Sequence, residues 1–331
     1  MADEIPFDAI LTASAAAGEA TRLRLLALLA EAELTVSELV TILGQSQPRI
    51  SRHLKLLVEA GLGERHREGA WVFFRIVQTG PLAGFARDLV AKLAPDDARL
   101  TADRARLGEV RQTRADLAAR YFAAHAANWD ELRAMHVPEE RVEGAIRKAI
   151  GAGPVHALLD LGTGTGRILE LFGPEIERGL GIDMSLDMLS LARARLERIG
   201  LKHCSVRQGD IYELPVPKDS FDVVVIHQVL HFLDDGARAV AEAARTLRPQ
   251  GRLLVVDFAP HDLEFLREEH AHLRLGFAPE TVSQWMSAAG LDVALHRVLP
   301  PEPGSDGKIA VSLWLARDPR VALALAEREV A

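Results

Sequence analysis

The chain has 331 residues, 48% of them hydrophobic and 26% charged, with a formal net charge of -8 and one cysteine, Cys204. That length favours two domains with ample core-forming material, and the acidic balance excludes nonspecific polyanion binding by the whole molecule while leaving room for a local basic patch. A lone cysteine excludes internal disulfides and multi-thiolate metal sites; with no apolar run near the ~20 residues that span a bilayer and an acidic, signal-free start, a cytoplasmic protein without a membrane partner is expected.

Residues 5–95 read as a compact, mostly helical module. Residues 21–30 make a short apolar helix, and a helix over 37–43 follows, with Ser37 as N-cap and Gly44 as its stop. The stretch 47–60 is amphipathic. Ile50, Leu54, Leu57 and Val58 share one face, Arg49, Arg52, His53 and Lys55 are spread over the rest, and Gly61 ends it. Residues 62–67, a Glu68-Gly69 turn and residues 70–76 form a β-hairpin, and 79–93 is another helix with Leu82, Phe85, Leu89 and Leu93 on one stripe.

The charges of this module suit nucleic acid. A basic helix can enter the major groove while a hairpin bearing Arg65 and Arg67 grips phosphates. Gln47 and Ser51, with Ser46, add short hydrogen-bonding groups near the helix start, where base edges are reached. One charged helix alone is more often a solvated face. Helix, turn, helix and wing in sequence reverse those odds.

Residues 96–134 carry helix formers and dense mixed charge. Leu100, Leu107, Val110, Leu117 and Tyr121 recur at spacings of seven, three, seven and four, which predicts a long helix joining two domains, with self-pairing in a dimer as an alternative use of the stripe. Gly151-Ala-Gly-Pro154 marks the next boundary. Strands are then expected at 155–161, 179–182, 203–207, 221–226, 251–257, 292–299 and 309–315, with helices around 166–172, 185–199, 235–247 and 279–289. Such alternation predicts a mostly parallel sheet covered on both faces.

The run Leu158-Leu-Asp-Leu-Gly-Thr-Gly-Thr-Gly166 follows the first of these strands. Its glycines let the backbone turn tightly and approach a ligand, and Asp183, one βαβ step downstream, can accept hydrogen bonds from a ribose diol. A dinucleotide loop would place its third glycine at 167, where Arg167 stands, and Asp160 would repel a phosphate yet suit a cationic amino group. A nucleoside without pyrophosphate fits better than NAD.

On these residues the segment from about 121 to 318 resembles a class I S-adenosylmethionine (SAM) dependent methyltransferase of the type related to ubiquinone and menaquinone biosynthesis enzymes. The resemblance implies a cofactor site for SAM or S-adenosylhomocysteine (SAH) at Asp160, Gly162, Thr163, Gly164, Asp183, Met184, Asp210 and Ile211, with His227 beside it. It sets Asp210 at the exocyclic amine and Ile211 against the ring, and gives Tyr121 and Trp129 to a lid over the methionine moiety. It also puts His227, Gln228 and His231 after the fourth strand, where substrate-facing groups occur; His227 and His231 are the candidate catalytic residues. Four apart, the two histidines would share a face on a helix. With no third ligand identifiable, no metal site is expected, and surface or core histidines are the commoner outcome.

The stretch Ser46-Gln-Pro-Arg-Ile-Ser-Arg-His-Leu-Lys-Leu-Leu-Val-Glu-Ala-Gly-Leu62 closely resembles the ArsR/SmtB family of winged helix-turn-helix repressors. That implies a homodimer on a palindromic double-stranded DNA operator, contacted through Gln47, Arg49, Ser51, Arg52, His53, Lys55, Arg65 and Arg67. Thr35 and Ser37 stand where metal sensors of that family carry cysteines, and residues 87–97 hold no histidine, so metal sensing is not expected. The expected fold class is α/β. A winged helix-turn-helix DNA-binding and dimerisation domain (1–95) and a helical linker (96–120) precede a Rossmann-like seven-stranded methyltransferase domain (121–318) and a tail (319–331). Two functions follow: a DNA-binding regulator with SAM or SAH as effector, or an active methyltransferase on a small-molecule acceptor that uses the winged helix for dimerisation or targeting.

Overall fold

The structure, a computed structural model, describes residues 5–68, 71–77, 80–125, 138–151, 153–301 and 309–321. It divides into two compact units, Met1–Leu117 and Ala118–Ala331.

The first unit runs α1 (Phe7–Ala17), α2 (Ala20–Glu31), β1 (Leu34–Thr35), α3 (Val36–Leu43), α4 (Gln47–Glu59), β2 (Gly63–Glu68), β3 (Trp71–Ile76), α5 (Leu82–Ala91) and the part of α6 (Ala98–His125) up to Leu117. β2 and β3 pair as an antiparallel hairpin, and β1 joins the other edge of β3. This is the winged helix-turn-helix arrangement. Each helix presents a stripe to one core: Leu25, Leu28 and Leu29 of α2, Leu39 and Ile42 of α3, and Ile50, Leu54 and Leu57 of α4. α3 begins one residue earlier than its sequence suggested, because Thr35, and not Ser37, is the N-cap. Its hydroxyl accepts from the Glu38 N–H at 3.3 Å while the Glu38 carboxylate accepts from the Thr35 N–H at 2.8 Å, a reciprocal capping box.

The stretch expected as a linker contributes to this unit. Leu107 of α6 is in its core with Val110 packed alongside, so part of the heptad stripe is used within the chain's own fold. The Arg24 guanidinium grips the buried Asp103 of α6 with two hydrogen bonds of 2.7 and 2.6 Å. Arg106 donates to the Ile42 carbonyl at 3.0 Å and Arg111 to the Glu31 carbonyl at 2.7 Å.

In the second unit α7 (Glu139–Ile150) precedes β4 (Val155–Leu161), α8 (Arg167–Phe172), β5 (Ile176–Asp183), α9 (Leu186–Arg198), β6 (Cys204–Gln208) and β7 (Phe221–His227). Then come α10 (Gly236–Arg245), β8 (Leu247–Phe258), α11 (Phe265–His270), α12 (Pro279–Ala288), β9 (Asp292–Leu299) and β10 (Val311–Arg317). The seven strands form one sheet in the order β6-β5-β4-β7-β8-β10-β9, parallel except where β10 runs against both its neighbours. This is the Rossmann-like methyltransferase fold. β7 is apolar almost throughout because both faces are covered. Val223 and Val225 pack with α7, α8 and α9 in one layer, while Val224 and Ile226 pack with α10 and α12 in the other. No helix among the described residues is long and apolar enough to cross a membrane.

Candidate functional site

A cavity of roughly 860 Å³, mouth included, opens at the carboxyl ends of β4, β5 and β7. The glycine turn makes its floor. Gly162 and Gly166 have φ of 67° and 83°, a left-handed backbone that side-chain-bearing residues rarely adopt. Space is the second constraint: a Cβ at Gly162 would lie 2.3 Å from Val229, and one at Gly166 would lie 3.2 Å from Ala192. The turn is tied down by Gly162 and Thr163 N–H groups donating to the Ile182 carbonyl at 2.8 and 3.0 Å. The Thr163 hydroxyl donates to the buried Asp160 carboxylate at 2.6 Å.

Asp183 closes the far side of this turn. Its two oxygens accept from the Gly164 and Ser185 N–H groups, both at 2.8 Å, which leaves lone pairs on each for a diol. Burial raises its carboxyl pKa, and the backbone donors Ser185, Gly164 and Met184 work against that rise. A hydrogen-bonding ligand would offset the same desolvation.

Of the residues expected at a cofactor site, the cavity brings together Asp160, Gly162, Thr163, Gly164, Asp183, Met184, Ile211 and His227. Asp210 stands apart from that lining. It is exposed, and its carboxylate accepts from the Tyr212 N–H at 2.9 Å, fixing the turn that presents Gly209 and Ile211 to the cavity. The side chain of Tyr121 and all of Trp129 lie outside the described residues. The sequence reading did not single out Val229, Phe232 and Leu233, which also line the cavity; their signal was an apolar run just after β7.

His227 and His231 do not share a helical face. His227 ends β7 and lines the cavity, whereas His231 lies in a short 3₁₀ turn, Leu230–Phe232. His231 is buried, with Nδ1 2.7 Å from the Asp257 Oδ1 at the end of β8, and its ring packs at a tilt against Phe232, Phe258 and His272. It therefore braces the turn and does not line the cavity. Among the described residues no group of three or more His, Cys, Asp or Glu could hold a metal ion.

In the first unit Gln47, Arg49, Ser51, Arg52 and Lys55 of α4 are exposed, as are Arg65 and Arg67 on one edge of the hairpin. Lys55 is 3.7 Å from Glu59, an exposed pair that leaves most of its charge to solvent. His53 differs from the others. It is half-buried, its Nδ1 is 3.6 Å from the Glu19 carboxylate that caps α2, and burial lowers its pKa. It acts as a strut between α4 and α2, turned from the exposed basic row.

Comparison with known proteins gives two matches. A family profile described as bacterial regulatory protein, arsR family, covers residues 19–62, and one described as methyltransferase domain covers residues 159–255. The uncharacterized methyltransferase YcgJ of Bacillus subtilis (strain 168) is 35% identical over 108 residues, which is 32% of this chain and 43% of that protein. The ubiquinone/menaquinone biosynthesis C-methyltransferase UbiE of Vibrio vulnificus (strain YJ016) is 36% identical over 113 residues, 33% of this chain and 44% of that protein. The chain thus spans less than half the length of these two relatives. Among solved structures, the N-methyltransferase NodS from Bradyrhizobium japonicum WM9, in complex with SAH, superimposes with a TM-score of 0.51 at 22% identity, covering 61% of this chain and 99% of that one. One chain therefore joins an arsR-family helix-turn-helix domain to a methyltransferase domain.

Proposed function

We propose that the protein is a cytoplasmic, homodimeric DNA-binding regulator whose second unit takes SAM or SAH as effector. The single observation that carries this reading is the coexistence in one chain of an exposed basic row, Arg49, Arg52 and Lys55 beside Arg65 and Arg67, with a cavity fitted to a nucleoside. The fit rests on the residues. Asp183 offers both oxygens to a ribose diol, the glycine turn admits close backbone approach, Ile211 supplies an apolar wall for a base, and Asp160 matches a cationic amino group. Phe7 and Leu11, four apart on the terminal helix α1, are 79% and 58% exposed, which suits a second copy covering them.

A second reading, catalysis, draws support from lining residues beyond the expected cofactor set, Gln228, Phe232 and Leu233, beside which an acceptor would sit. SAM bound there would supply a sulfonium methyl, and the chain's own part would be to position a nucleophile.

The DNA-binding half is tested by gel-shift on a fragment carrying the protein's own promoter. Arg49→Ala combined with Arg52→Ala is expected to abolish retention, with wild-type binding falling steeply as salt rises. Unchanged retention by the double variant would overturn the regulator and leave the enzyme.

A further inference from the structure

Two turns contribute to one side of the cavity. The first follows β6 and brings Gly209 and Ile211 to the lining; the second follows β7 and brings Phe232 and Leu233. The residue after Ile211 is bonded to the two residues after Leu233. The Tyr212 hydroxyl donates to the Asp234 carboxylate at 2.6 Å and accepts from the Asp235 N–H at 3.1 Å. At 2.6 Å an O–H···O⁻ contact is charge-assisted, roughly twice as strong as a neutral hydrogen bond. Burial, and then the Asp234 carboxylate, push the phenol pKa up, so the hydroxyl keeps its proton to donate.

Both partners are held in place for this contact. The Arg238 guanidinium carbon lies 5.1 Å from the centre of the Tyr212 ring, and one Nη donates to the Tyr212 carbonyl at 3.3 Å. Asp235 caps α10 by accepting from the Arg238 N–H at 3.0 Å. The first turn has further anchors in α10. Glu242 accepts from the Leu214 N–H at 2.9 Å, and Arg245 donates to the Val216 carbonyl at 3.1 Å. What the hydroxyl adds to these is a tie between the two segments that line the cavity. Tyr212 itself stands outside the lining, so it acts on a ligand through its neighbours Ile211 and Leu233.

We infer that Tyr212 is a positioning residue for the bound nucleoside, a clasp that holds the Ile211 and Leu233 segments at the separation the base fills. The inference rests on the SAM/SAH reading of the cavity, in which the base lies against Ile211. A slot held at its final width costs a ligand nothing to close. Released, the two segments must be drawn together at each binding event, and affinity falls by that cost.

The test measures SAH and adenosine binding to the full chain by calorimetry and ligand-observed NMR, at a temperature where circular dichroism shows every variant folded. Tyr212→Phe keeps the ring and its contact with Arg238 and deletes only the hydroxyl. It should raise the Kd for SAH about ten-fold, the scale of one hydrogen bond to a charged group. The Kd for adenosine should rise by the same factor, because the two ligands share base and ribose. Asp234→Ala should come close to Tyr212→Phe, and the double variant should be no worse than either, since all three lose one bond. Asp234→Asn, whose carbonyl still accepts, should stay within about three-fold of wild type. Wild-type affinity in Tyr212→Phe, or penalties that add in the double variant, would overturn the clasp. A loss confined to SAH would place the effect away from the base and overturn it as well. If Asp183→Ala weakens SAH and Tyr212→Phe does not, the cofactor reading stands and the clasp falls; if wild type binds neither ligand, both fall.

Discussion

At the scale of single residues, two titrating groups make opposite statements about the second unit. Asp183 ionises against burial, so removing it should relieve some strain on the fold while removing the proposed ribose contact. Asp183→Ala is expected to weaken SAH binding at least about 100-fold, on the footing of two hydrogen bonds to a charged group. Calorimetry giving wild-type affinity would show that the site lies elsewhere. His261 acts the other way. Burial, with a contribution from neighbouring His231, lowers its pKa to about 4, while Asp257 and Asp262 oppose the shift and Arg267 adds to it. The unfolded chain then binds the extra proton from its ordinary value near 6.5 downward, so stability is lost as pH falls from about 6.5 to about 4. His261→Gln should flatten the pH dependence of Tm in that window, and an unchanged slope would mean that His261 contributes nothing to it.

At the scale of elements, α6 raises the question of what a charged helix is for. Its ion pairs differ in worth. Arg104–Glu31 at 2.6 Å joins side chains 41% and 34% exposed and contributes at most about 1 kcal/mol. Arg24–Asp103 has its carboxylate only 2% exposed, and removing one partner of such a pair costs about 3–5 kcal/mol because the other charge is stranded. Asp103→Asn should therefore destabilise the first unit by about 3 kcal/mol and speed hydrogen exchange along the first turns of α6, whereas Arg104→Ala should do neither. Circular dichroism melts that rank the two variants equally would refute this.

The same comparison shows what was readable. β4 and β7 were legible because strands buried on both faces are continuous apolar runs. The cap of α3 was misread at Ser37, although its signal stood in the sequence: Thr35-x-x-Glu38 is a capping box, and Ser37 has no acid three residues on. α7 went unread, although Val142, Ile146 and Ile150 mark its buried stripe, because Glu139, Glu140, Arg147 and Lys148 dominate its composition. α1 is alanine-rich and barely amphipathic, so periodicity had little to grip. The left-handed turn at Gln228, with a φ of 54°, had no signature at all, since nothing in a Gln-Val pair encodes φ. His53 looked like its basic neighbours until packing placed Glu19 beside it.

At the scale of the whole molecule, the regulator reading requires that the ligands of the two domains be coupled, whereas a methyltransferase targeted by its winged helix does not. α6 is one helix, Ala98–His125, and the division into units falls inside it, after Leu117. A helix shared in this way can bias both units if it has two arrangements, and a ligand shifts that balance only by its differential affinity for them. Thermodynamics then imposes a test independent of the mechanism. If saturating SAH changes the Kd for operator DNA by some factor, saturating operator must change the Kd for SAH by the same factor. A regulator should show about 5-fold or more in both directions, on the scale of 1–3 kcal/mol of coupling. Gel-shift titrated with SAM and with SAH gives the first number, and calorimetry on operator-bound protein gives the second. A response to one ligand and not the other identifies the effector. Indifference to both, with SAH still bound, would leave a methyltransferase carried to DNA by its winged helix and nothing more.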